Sequence, residues 1–325
     1  MISPVRVFGR DAVKNTKRIV WLLMMAVLLS ACSPAGVDGE IPASPVPKNT
    51  APIATPLPTA EPTPTPLPDP KITEPWYQQR RAEMAEHLRR FRAGITEEQI
   101  EKILFEREID PEKPMIALTF DDGPVAAVTN GVLDILEEYN ARATFFICGY
   151  RLNREENAVC LERMLTLGCE IGNHTFEHDY LTELGKDSRR ASIRKTNEKI
   201  ARVTGGYTAR SLRPPGGKTS GYICSDAKKL DMAVVLWSQS GNVHLTDPVA
   251  IAENVQKQAV DGRTLRHGDI VLLHDTKEHM VEAVQIMVPA LLEQGYQLVT
   301  VQELLNLSQP GFTAGMQYRS MENYR

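Results

Sequence analysis

The stretch MIALTFDDGP, residues 115–124, is an apolar run that ends in two adjacent carboxylates and a turn. Met115 to Phe120 has the length and the aliphatic and aromatic content of a buried strand. Neighbouring side chains of a strand point to opposite faces, and two adjacent anions disfavour each other's charge. The demands of folding therefore do not explain why Asp121 and Asp122 stand together.

Apolar segments of strand length recur along the chain after this one, at Ala143–Cys148, Cys169–Gly172, Ala233–Trp237, Asp269–Leu273 and Gln297–Val301. Amphipathic helical patterns separate several of them, for example at 125–139 and 191–203. This alternation predicts an α/β fold with a parallel sheet, either open or closed into a barrel. In both architectures reactive side chains gather at the carboxyl ends of the strands.

Polar residues follow these segments at the points where the strands should end. We expect them to converge on one mouth of the sheet, because parallel strands bring their carboxyl ends to the same edge. They are Asp121, Asp122, His174, His178, Arg213, Asn242 and His274.

The segment HTFEH, residues 174–178, places two imidazoles four residues apart. This spacing brings two side chains together over one helical turn. An aspartate as third ligand would complete a site for a divalent ion with room for water. A pair of solvent-facing histidines is the ordinary alternative, since the spacing is common on helices.

A metal site would also explain the paired aspartates. The turn at Gly123–Pro124 is expected to break the strand, so that Asp121 and Asp122 need not point apart. A cation lets one carboxylate bind while the other stays free for proton transfer. The alternative is an ordinary acidic turn, because Asp, Gly and Pro are common turn residues.

Four blocks that occur in a fixed order carry a family resemblance. They are TFDDGP (119–124), HTFEH (174–178), RPPGG (213–217) and LLH (272–274). Together they resemble the polysaccharide deacetylase family, carbohydrate esterase family four, also called the NodB-homology domain. The conjunction is much more specific than any single block. The resemblance covers about residues 113–307 and implies an irregular (β/α) barrel that hydrolyses acetyl groups from a glycan with the help of a metal.

The resemblance assigns the metal ligands and the general base. Asp122, His174 and His178 would bind one divalent ion, with zinc favoured and cobalt, nickel and manganese as alternatives. Asp121 would be the general base that takes a proton from the attacking water. Arg213 would hold Asp121 in place and keep it ionised, whereas taken alone Arg213 would be read as part of a stiff surface turn.

The resemblance also assigns the acid and the substrate contacts. His274 would protonate the leaving amine, whereas taken alone it would be an ordinary histidine at a strand end. Leu272 would line the pocket for the acetyl methyl group. Pro215 and Gly216 would contact the substrate, with a backbone N–H near Gly216 as an oxyanion donor.

Two positions depart from the family pattern. Gly216 stands where the family usually has an aromatic residue, which removes one wall of the substrate groove. Asn242 and Val243 stand where members commonly have Asp-Trp, and Asn supplies no charge to the acid His274. We expect a lower activity or a shifted pH optimum as a result. Identical pH–rate profiles for the natural chain and Asn242→Asp would dismiss this hypothesis.

The amino-terminal residues predict export. Basic residues precede the apolar stretch Ile19–Leu29, which ends in LSAC, residues 29–32. This layout indicates a lipoprotein signal peptide over 1–31 and a lipidated Cys32, with an uncleaved signal anchor as the alternative. Residues 32–75 are rich in Pro and Thr and are expected to form a disordered linker. The protein would be extracytoplasmic, anchored to the membrane and facing the cell wall.

Two further segments flank the main domain. Residues 76–112 are predicted to be helical, with capping chemistry at Thr96–Gln99 and a solvated His87, and act as a spacer, a partner surface or a cap. The polar tail, 308–325, is expected to fray.

The charge and the cysteine content limit the possible partners and disulfides. The formal net charge of -4, without a basic cluster outside the signal, argues against nucleic acid, and no feature identifies a protein partner. Outside the cytoplasm, Cys148, Cys160, Cys169 and Cys224 have the opportunity to form disulfides, but their spacing does not define any pairing.

The substrate expectation follows from the anchor and linker, which would leave the domain beside the cell wall. Peptidoglycan or another polymer of N-acetylglucosamine is therefore the favoured acetylated glycan. The alternatives are an O-acetyl esterase acting on xylan and a non-catalytic glycan-binding lipoprotein with a degraded site. Acetate release with and without a chelator distinguishes an enzyme from a binder.

Overall fold

A curled sheet of parallel strands forms the centre of the protein, in a computed structural model that describes residues 74–241, 244–257, 264–308 and 311–322. Its strands in this part of the chain are β1 Met115–Asp121, β2 Thr144–Ile147, β3 Glu170–Asn173, β4 Ser211–Leu212, β5 Ala233–Val235, β6 Gln239–Ser240, β7 Ile270–His274, β8 Gln297–Leu298 and β9 Gln317–Tyr318. The order is β6-β7-β1-β2-β3-β4-β5-β9, and β8 also pairs with β1. This half-barrel confirms the predicted α/β fold.

Helices surround the sheet and connect its strands. They are α1 Pro75–Phe91, α2 Glu97–Glu106, α3 Ala126–Glu138, α4 Glu155–Thr166, α5 Lys186–Thr204, α6 Gly221–Lys229, α7 Pro248–Lys257, α8 His279–Glu293 and α9 Val301–Asn306. Short 3₁₀ turns form at Gly149–Asn153 and Pro215–Gly217. Helix α3 matches the amphipathic pattern at 125–139, whereas α5 contains the pattern at 191–203 and begins five residues before it.

The side chains of β1 alternate between two buried environments. Ile116, Leu118 and Phe120 belong to the cluster that includes residues of α3 and α8. Met115 and Ala117 belong to a second cluster, inside the curl of the sheet. Because the side-chain period of a strand is two, Asp121 continues the inner face of β1. The alternation therefore places its carboxylate inside the mouth of the half-barrel.

The strand register brings polar residues to one edge of the sheet. Asp121 is the partner of His274 in the pairing of β1 with β7. Two strands away from β1 in the same sheet, Asn173 at the end of β3 is the partner of Leu212, which directly precedes Arg213. The expected convergence at the carboxyl ends of the strands is thus confirmed for these elements.

The amino-terminal helices pack on the domain. Thr96 and Gln99 form a reciprocal capping box at the start of α2, as predicted. Met84 and Leu88 of α1 pack with Ile100 of α2 in a small apolar cluster. Tyr77 is buried in the inner cluster of the sheet. Among the three roles considered for this segment, the packing favours a cap on the domain.

His87 differs from its sequence expectation as a solvated residue. It lines a cavity of about 620 Å³ between α1 and the domain. Burial, together with the cations Arg80 and Arg90, lowers the pKa of His87 to about 4. Helical periodicity did not reveal this environment because the burying surface comes from distant parts of the chain.

The carboxyl-terminal segment also differs from expectation. Residues 317–318 pair with β5 in parallel, and Tyr318 is fully buried in the inner cluster. The Tyr318 hydroxyl donates to the carbonyl of Gly311 at 2.6 Å. The polar composition after Ser308 suggested fraying, but the burial of one aromatic ring and the strand pairing hold residues 311–322 on the sheet.

Several sequence predictions fall outside the described residues: the signal peptide, Cys32, most of the linker, and the pair Asn242 and Val243. Within the described ranges, none of the helices is both long and apolar enough to cross a bilayer. The four cysteines considered for disulfides, Cys148, Cys160, Cys169 and Cys224, are all free thiols.

Candidate metal centre

The chain turns sharply where β1 ends. Asp121 is the last residue of the strand, and Asp122 has a positive φ of 70°, which only a few per cent of non-glycine residues adopt. The strand therefore breaks at Asp122 itself, one residue before the predicted Gly123–Pro124 turn. Gly123 is required next to it, because a Cβ there would overlap the Asp275 carboxylate.

The HTFEH segment is a loop, and the interpretation of its spacing as a helical turn was wrong. Thr175 and His178 have φ values of 67° and 60°, outside the right-handed helical region. The amide of Thr175 donates to Asn173 Oδ1 at 2.8 Å, and the amide of Asp179 donates to Thr175 Oγ1 at 2.8 Å. These side-chain acceptors occupy backbone donors that a helix would use.

The loop nevertheless brings the two imidazoles together. The ring centroids of His174 and His178 are 5.1 Å apart. The Nε2 atoms of both rings lie 3.3 Å from the same oxygen, Oδ1 of Asp122. One ligand atom from each of the three residues lies within 4.8 Å of the other two. The three side chains predicted as ligands thus form one candidate metal centre.

The hydrogen bonds around this centre fit a cation. His174 Nδ1 lies 2.7 Å from the backbone oxygen of Arg213. A carbonyl oxygen only accepts, so Nδ1 carries the hydrogen and Nε2 of the neutral ring presents a lone pair to Asp122. Asp122 Oδ1 is itself buried and has no hydrogen-bond partner. A divalent metal between these lone pairs would satisfy all of them.

Electrostatic interactions within the centre shift the pKa of each ligand. Burial would raise the pKa of Asp122, but contact with His174 and the positive charges that the histidines carry when protonated lower it to about 2. Burial would likewise lower the pKa of His174, but Asp121 and Asp122 raise it. Burial lowers the pKa of His178, and Asp122 only partly opposes this. Protons therefore compete with a metal chiefly at His174.

Asp121 stands behind the centre and is held by Arg213. Arg213 Nη1 donates to Asp121 Oδ1 at 2.7 Å, and the arginine is fully buried. The second carboxylate oxygen, Oδ2, lies 3.7 Å from His174 Nε2. One oxygen of Asp121 is thus fixed by the guanidinium, and the other faces the metal centre.

The inner face of the sheet fixes the position of the Arg213 guanidinium. Its Nη1 also donates to Thr119 Oγ1 at 2.6 Å, and its Nη2 donates to the carbonyl of Leu236 at 2.9 Å. The guanidinium carbon lies 4.0 Å from the centroid of the Phe146 ring. The arginine is therefore part of the barrel interior, and its interpretation as a surface-turn residue was wrong.

The remaining predicted residues surround the same mouth. His274 ends β7 beside Asp121, and Leu272, two residues earlier, shares its face of the strand and is buried. Pro215 and Gly216 lie in the 3₁₀ turn that follows β4, with Gly216 at a φ of 65°. Asn242 lies outside the described residues.

Sequence reasoning did not select three residues that belong to this site. Thr119 contacts Arg213, and its place two residues before Asp121 on the same strand face was a usable signal. The ring of Tyr180 lies beside His178, with 6.0 Å between their centroids. Trp237 approaches Gly217, where a Cβ would lie 2.8 Å from the indole. Spacing in the sequence gave no indication of either aromatic contact.

Comparison with known proteins points to one family. The model of the polysaccharide deacetylase family matches residues 108–235. A protein named peptidoglycan-N-acetylmuramic acid deacetylase PdaC, from Bacillus subtilis, is 38% identical over 200 residues, which are 61% of this chain and 40% of that protein. A peptidoglycan-N-acetylglucosamine deacetylase from Bacillus cereus is 37% identical over 207 residues, 61% of this chain and 91% of that protein.

A solved structure shares the fold as well. The family 4 acetyl xylan esterase from Clostridium thermocellum, in complex with a cobalt ion, superposes with a TM-score of 0.57 at 33% sequence identity. The alignment covers 64% of this chain and 100% of the esterase. A divalent ion is thus bound by a protein of the same fold, and the Asp122, His174 and His178 cluster offers a place for one here.

Proposed function

This chain belongs to the polysaccharide deacetylase family, as its four sequence blocks suggested, and we propose that it removes N-acetyl groups from a cell-wall glycan by metal-dependent hydrolysis. The observation that carries the proposal is the convergence of two sets of residues at one mouth of the sheet. Asp122, His174 and His178 form the metal cluster, and Asp121 stands beside it, held by Arg213.

The metal is the first requirement of this chemistry. Asp122, His174 and His178 would hold it, with zinc favoured by two imidazoles and one carboxylate, and cobalt, nickel or manganese as alternatives. A divalent ion bound there supplies Lewis acidity toward water and toward the acyl carbonyl oxygen.

Asp121 acts as the general base in the proposed reaction. Its Oδ1 accepts a hydrogen bond from Arg213, so Oδ2 is the oxygen that accepts the proton of the attacking water. Since Arg213 is fully buried, the ion pair stays fixed while the proton moves. Asp122 cannot take this role at the same time, because it contributes a ligand atom.

His274 acts as the general acid. It lies at the end of β7, in register with Asp121, so the base and the acid stand on neighbouring strands. The amide nitrogen of an acetamido group is a poor leaving group until it receives a proton, which His274 supplies. Leu272 offers an apolar surface for the acetyl methyl, and backbone N–H groups at the Pro215–Gly217 turn are candidates to stabilise the oxyanion.

The proposed substrate is peptidoglycan, with other polymers of N-acetylglucosamine next. The two curated relatives named above are called peptidoglycan deacetylases, although this chain spans only 40% of the length of the first. The sequence signals for a lipidated Cys32 and a Pro-rich linker support an anchored, extracytoplasmic location beside such a polymer. The activity toward the whole polymer is part of the proposal.

Acetate release tests the function directly. The purified chain is incubated with peptidoglycan, with N-acetylglucosamine oligomers and with acetylated xylan, and metal content is measured on the same sample. We expect acetate from the N-acetylated glycans, loss of release after chelation, and recovery with zinc or cobalt. Absence of release from any acetylated glycan at every metal loading would favour a non-catalytic glycan-binding protein.

A second candidate activity is hydrolysis of O-acetyl groups on xylan. The structural similarity to an acetyl xylan esterase favours it, and the same base and metal cluster serve an ester as well as an amide. An ester needs less help from His274, because an alkoxide leaves more readily than an amine anion. A rate on acetylated xylan that exceeds the rate on N-acetylated glycans would favour this candidate.

A further inference from the structure

Tyr180 presents an aromatic ring beside the metal cluster. It lies two residues after His178, and the two ring centroids are 6.0 Å apart with their planes at 67°. The Tyr180 side chain is 39% exposed, and its neighbour His178 is also partly exposed. Its position therefore puts an accessible aromatic surface at the rim of the site.

The same ring lies against the backbone of Gly216. A Cβ at Gly216 would be 2.9 Å from Cε1 of Tyr180, closer than normal packing allows. Gly216 itself has a φ of 65°, a conformation that favours glycine. A side chain at position 216 and the ring of Tyr180 thus compete for one volume, and in this chain Tyr180 occupies it.

Charged neighbours hold the ring in its orientation. Lys218 Nζ lies 3.8 Å from the ring centroid of Tyr180, over its face. The same ammonium forms an ion pair with Glu183 at 3.1 Å. The amide of Glu183 donates to the backbone oxygen of Tyr180 at 2.9 Å, which closes the turn that carries the ring. The backbone hydrogen bond of this turn, more than the exposed ion pair, therefore sets the position of the ring before any ligand arrives.

We infer that Tyr180 is an aromatic wall of the substrate groove, which packs against the sugar ring that carries the hydrolysed acetyl group. This inference rests on the proposed function. A tyrosine ring offers an apolar surface for the C–H groups of a pyranose, and its hydroxyl offers a hydrogen bond to a sugar hydroxyl. Because Gly216 has no side chain, Tyr180 in the loop after β3 forms this wall instead.

The test compares Tyr180→Ala and Tyr180→Phe with a matched control, Tyr222→Ala. Tyr222 is also exposed and also lies under a cation, with the Arg189 guanidinium carbon 4.4 Å from its ring centroid. Each protein is assayed with a neutral N-acetylglucosamine oligomer and with 4-nitrophenyl acetate, which has an acetyl group but no sugar. The small ester reports on the metal cluster and base independently of the groove.

We expect Tyr180→Ala to raise KM for the oligomer by about tenfold, the usual scale for truncating a central aromatic contact. The value of kcat for the oligomer and the rate on 4-nitrophenyl acetate should stay within about twofold of the natural chain. Tyr180→Phe should keep most of the affinity for the oligomer. Tyr222→Ala should change neither the KM for the oligomer nor the rate on 4-nitrophenyl acetate. An unchanged KM, or equal losses on both substrates, would overturn the inference.

Failure of the proposed function has a different signature. If the natural chain releases no acetate from any glycan, calorimetric titration of the oligomer into the natural chain and Tyr180→Ala replaces the kinetic assay. Binding that is about tenfold weaker in Tyr180→Ala supports the aromatic wall even though the enzyme proposal has failed. Equal affinities, or no binding to the natural chain, overturn the aromatic wall.

Discussion

Arg213 and Asp121 form an ion pair inside the half-barrel, with 2.7 Å between Nη1 and Oδ1 and with both side chains almost completely withdrawn from solvent. Burial of such a pair removes the hydration of two charges. Only close geometry and additional hydrogen bonds offset the free-energy cost of that loss. Thr119 and backbone carbonyls supply those bonds to the guanidinium. The pair is therefore best explained by the position it gives Asp121 and not by a gain in stability.

Replacing Arg213 tests this relationship. Arg213→Met should lower the free energy of unfolding by about 3–5 kcal/mol, because it leaves the Asp121 carboxylate buried without its counter-charge. Arg213→Lys keeps a cation but loses the planar fork, so it should recover part of the stability and less of the acetate-release rate. Urea unfolding and kcat measure the two effects. Full activity in Arg213→Met would exclude a positioning role.

The adjacent aspartates should separate cleanly into two roles. Asp121→Asn should retain the metal and lower kcat by roughly 10²- to 10⁴-fold, since it removes the proton acceptor. Asp122→Asn should lose the metal and the activity together, because it removes a charged ligand. Metal content by atomic spectroscopy, measured beside kcat, distinguishes the two variants. Loss of the metal from Asp121→Asn would contradict the assignment.

A histidine control strengthens that comparison. His267 precedes β7 at the end of the strand opposite to His274, and its Nδ1 accepts a hydrogen bond from the amide of Met115 at 3.1 Å. His267→Gln should keep both the metal and the activity. His174→Ala should lose both.

The sequence anticipated the residues of this site better than the conformation of the segments that carry them. The apolar runs marked the strands, and parallel strands necessarily bring their ends to one edge, so Asp121 and His274 were expected to meet. The candidate ligands Asp122, His174 and His178 came from the family resemblance, which rests on residue type and the order of the four blocks. These properties are local, or follow from the topology, and the sequence records them directly.

The errors arose where distant contacts or side-chain hydrogen bonds decide the backbone. Spacing suggested a helical turn for 174–178, but the Asn173 and Thr175 side chains bind amides within the loop and hold it out of a helix. Composition suggested a frayed tail, but Tyr318 is fully buried in the apolar cluster inside the sheet. Such partners lie outside any sequence window, so periodicity alone could not reveal them.

Metal affinity should depend on pH through His174. Its carboxylate neighbours raise its pKa above the ordinary value, so a proton occupies the ring at pH values where a free imidazole is already neutral. As pH falls through this raised pKa, zinc affinity should weaken by about tenfold per pH unit for one competing proton. Chelator competition at pH 6, 7 and 8 measures this slope. An affinity that stays constant over this range would contradict the prediction.

His87 should make folding stability depend on pH. Its pKa is about 4 in the folded protein, against an ordinary value of 6.5, because it is half-buried and lies near the cations Arg80 and Arg90. Between these values the unfolded chain binds more protons, so stability rises with pH and is lost as the medium becomes acidic. After allowance for partial exposure of the ring, we expect protonation of His87 to lower the free energy of unfolding by about 1 kcal/mol.

The His87→Gln variant isolates that contribution. Glutamine keeps a polar side chain of similar length but does not titrate. All other titratable groups gain or lose protons alike in both proteins. Urea unfolding at pH 4.5 and 7.5 should show a smaller loss of stability in the variant than in the natural chain. The same loss in both proteins would show that protonation of His87 is not coupled to folding.

The competition between Tyr180 and position 216 can be measured as a coupling energy. Gly216→Ala should destabilise the natural chain for two reasons. The left-handed backbone at this position costs a non-glycine residue about 1–2 kcal/mol, and the new Cβ would collide with the Tyr180 ring. In the Tyr180→Ala background only the backbone cost remains. The double-mutant cycle should therefore give a coupling of at least about 0.5 kcal/mol, which unfolding measurements resolve. Strict additivity would mean that the ring moves aside freely, and a ring that moves so freely would not form a preorganised wall beside His178.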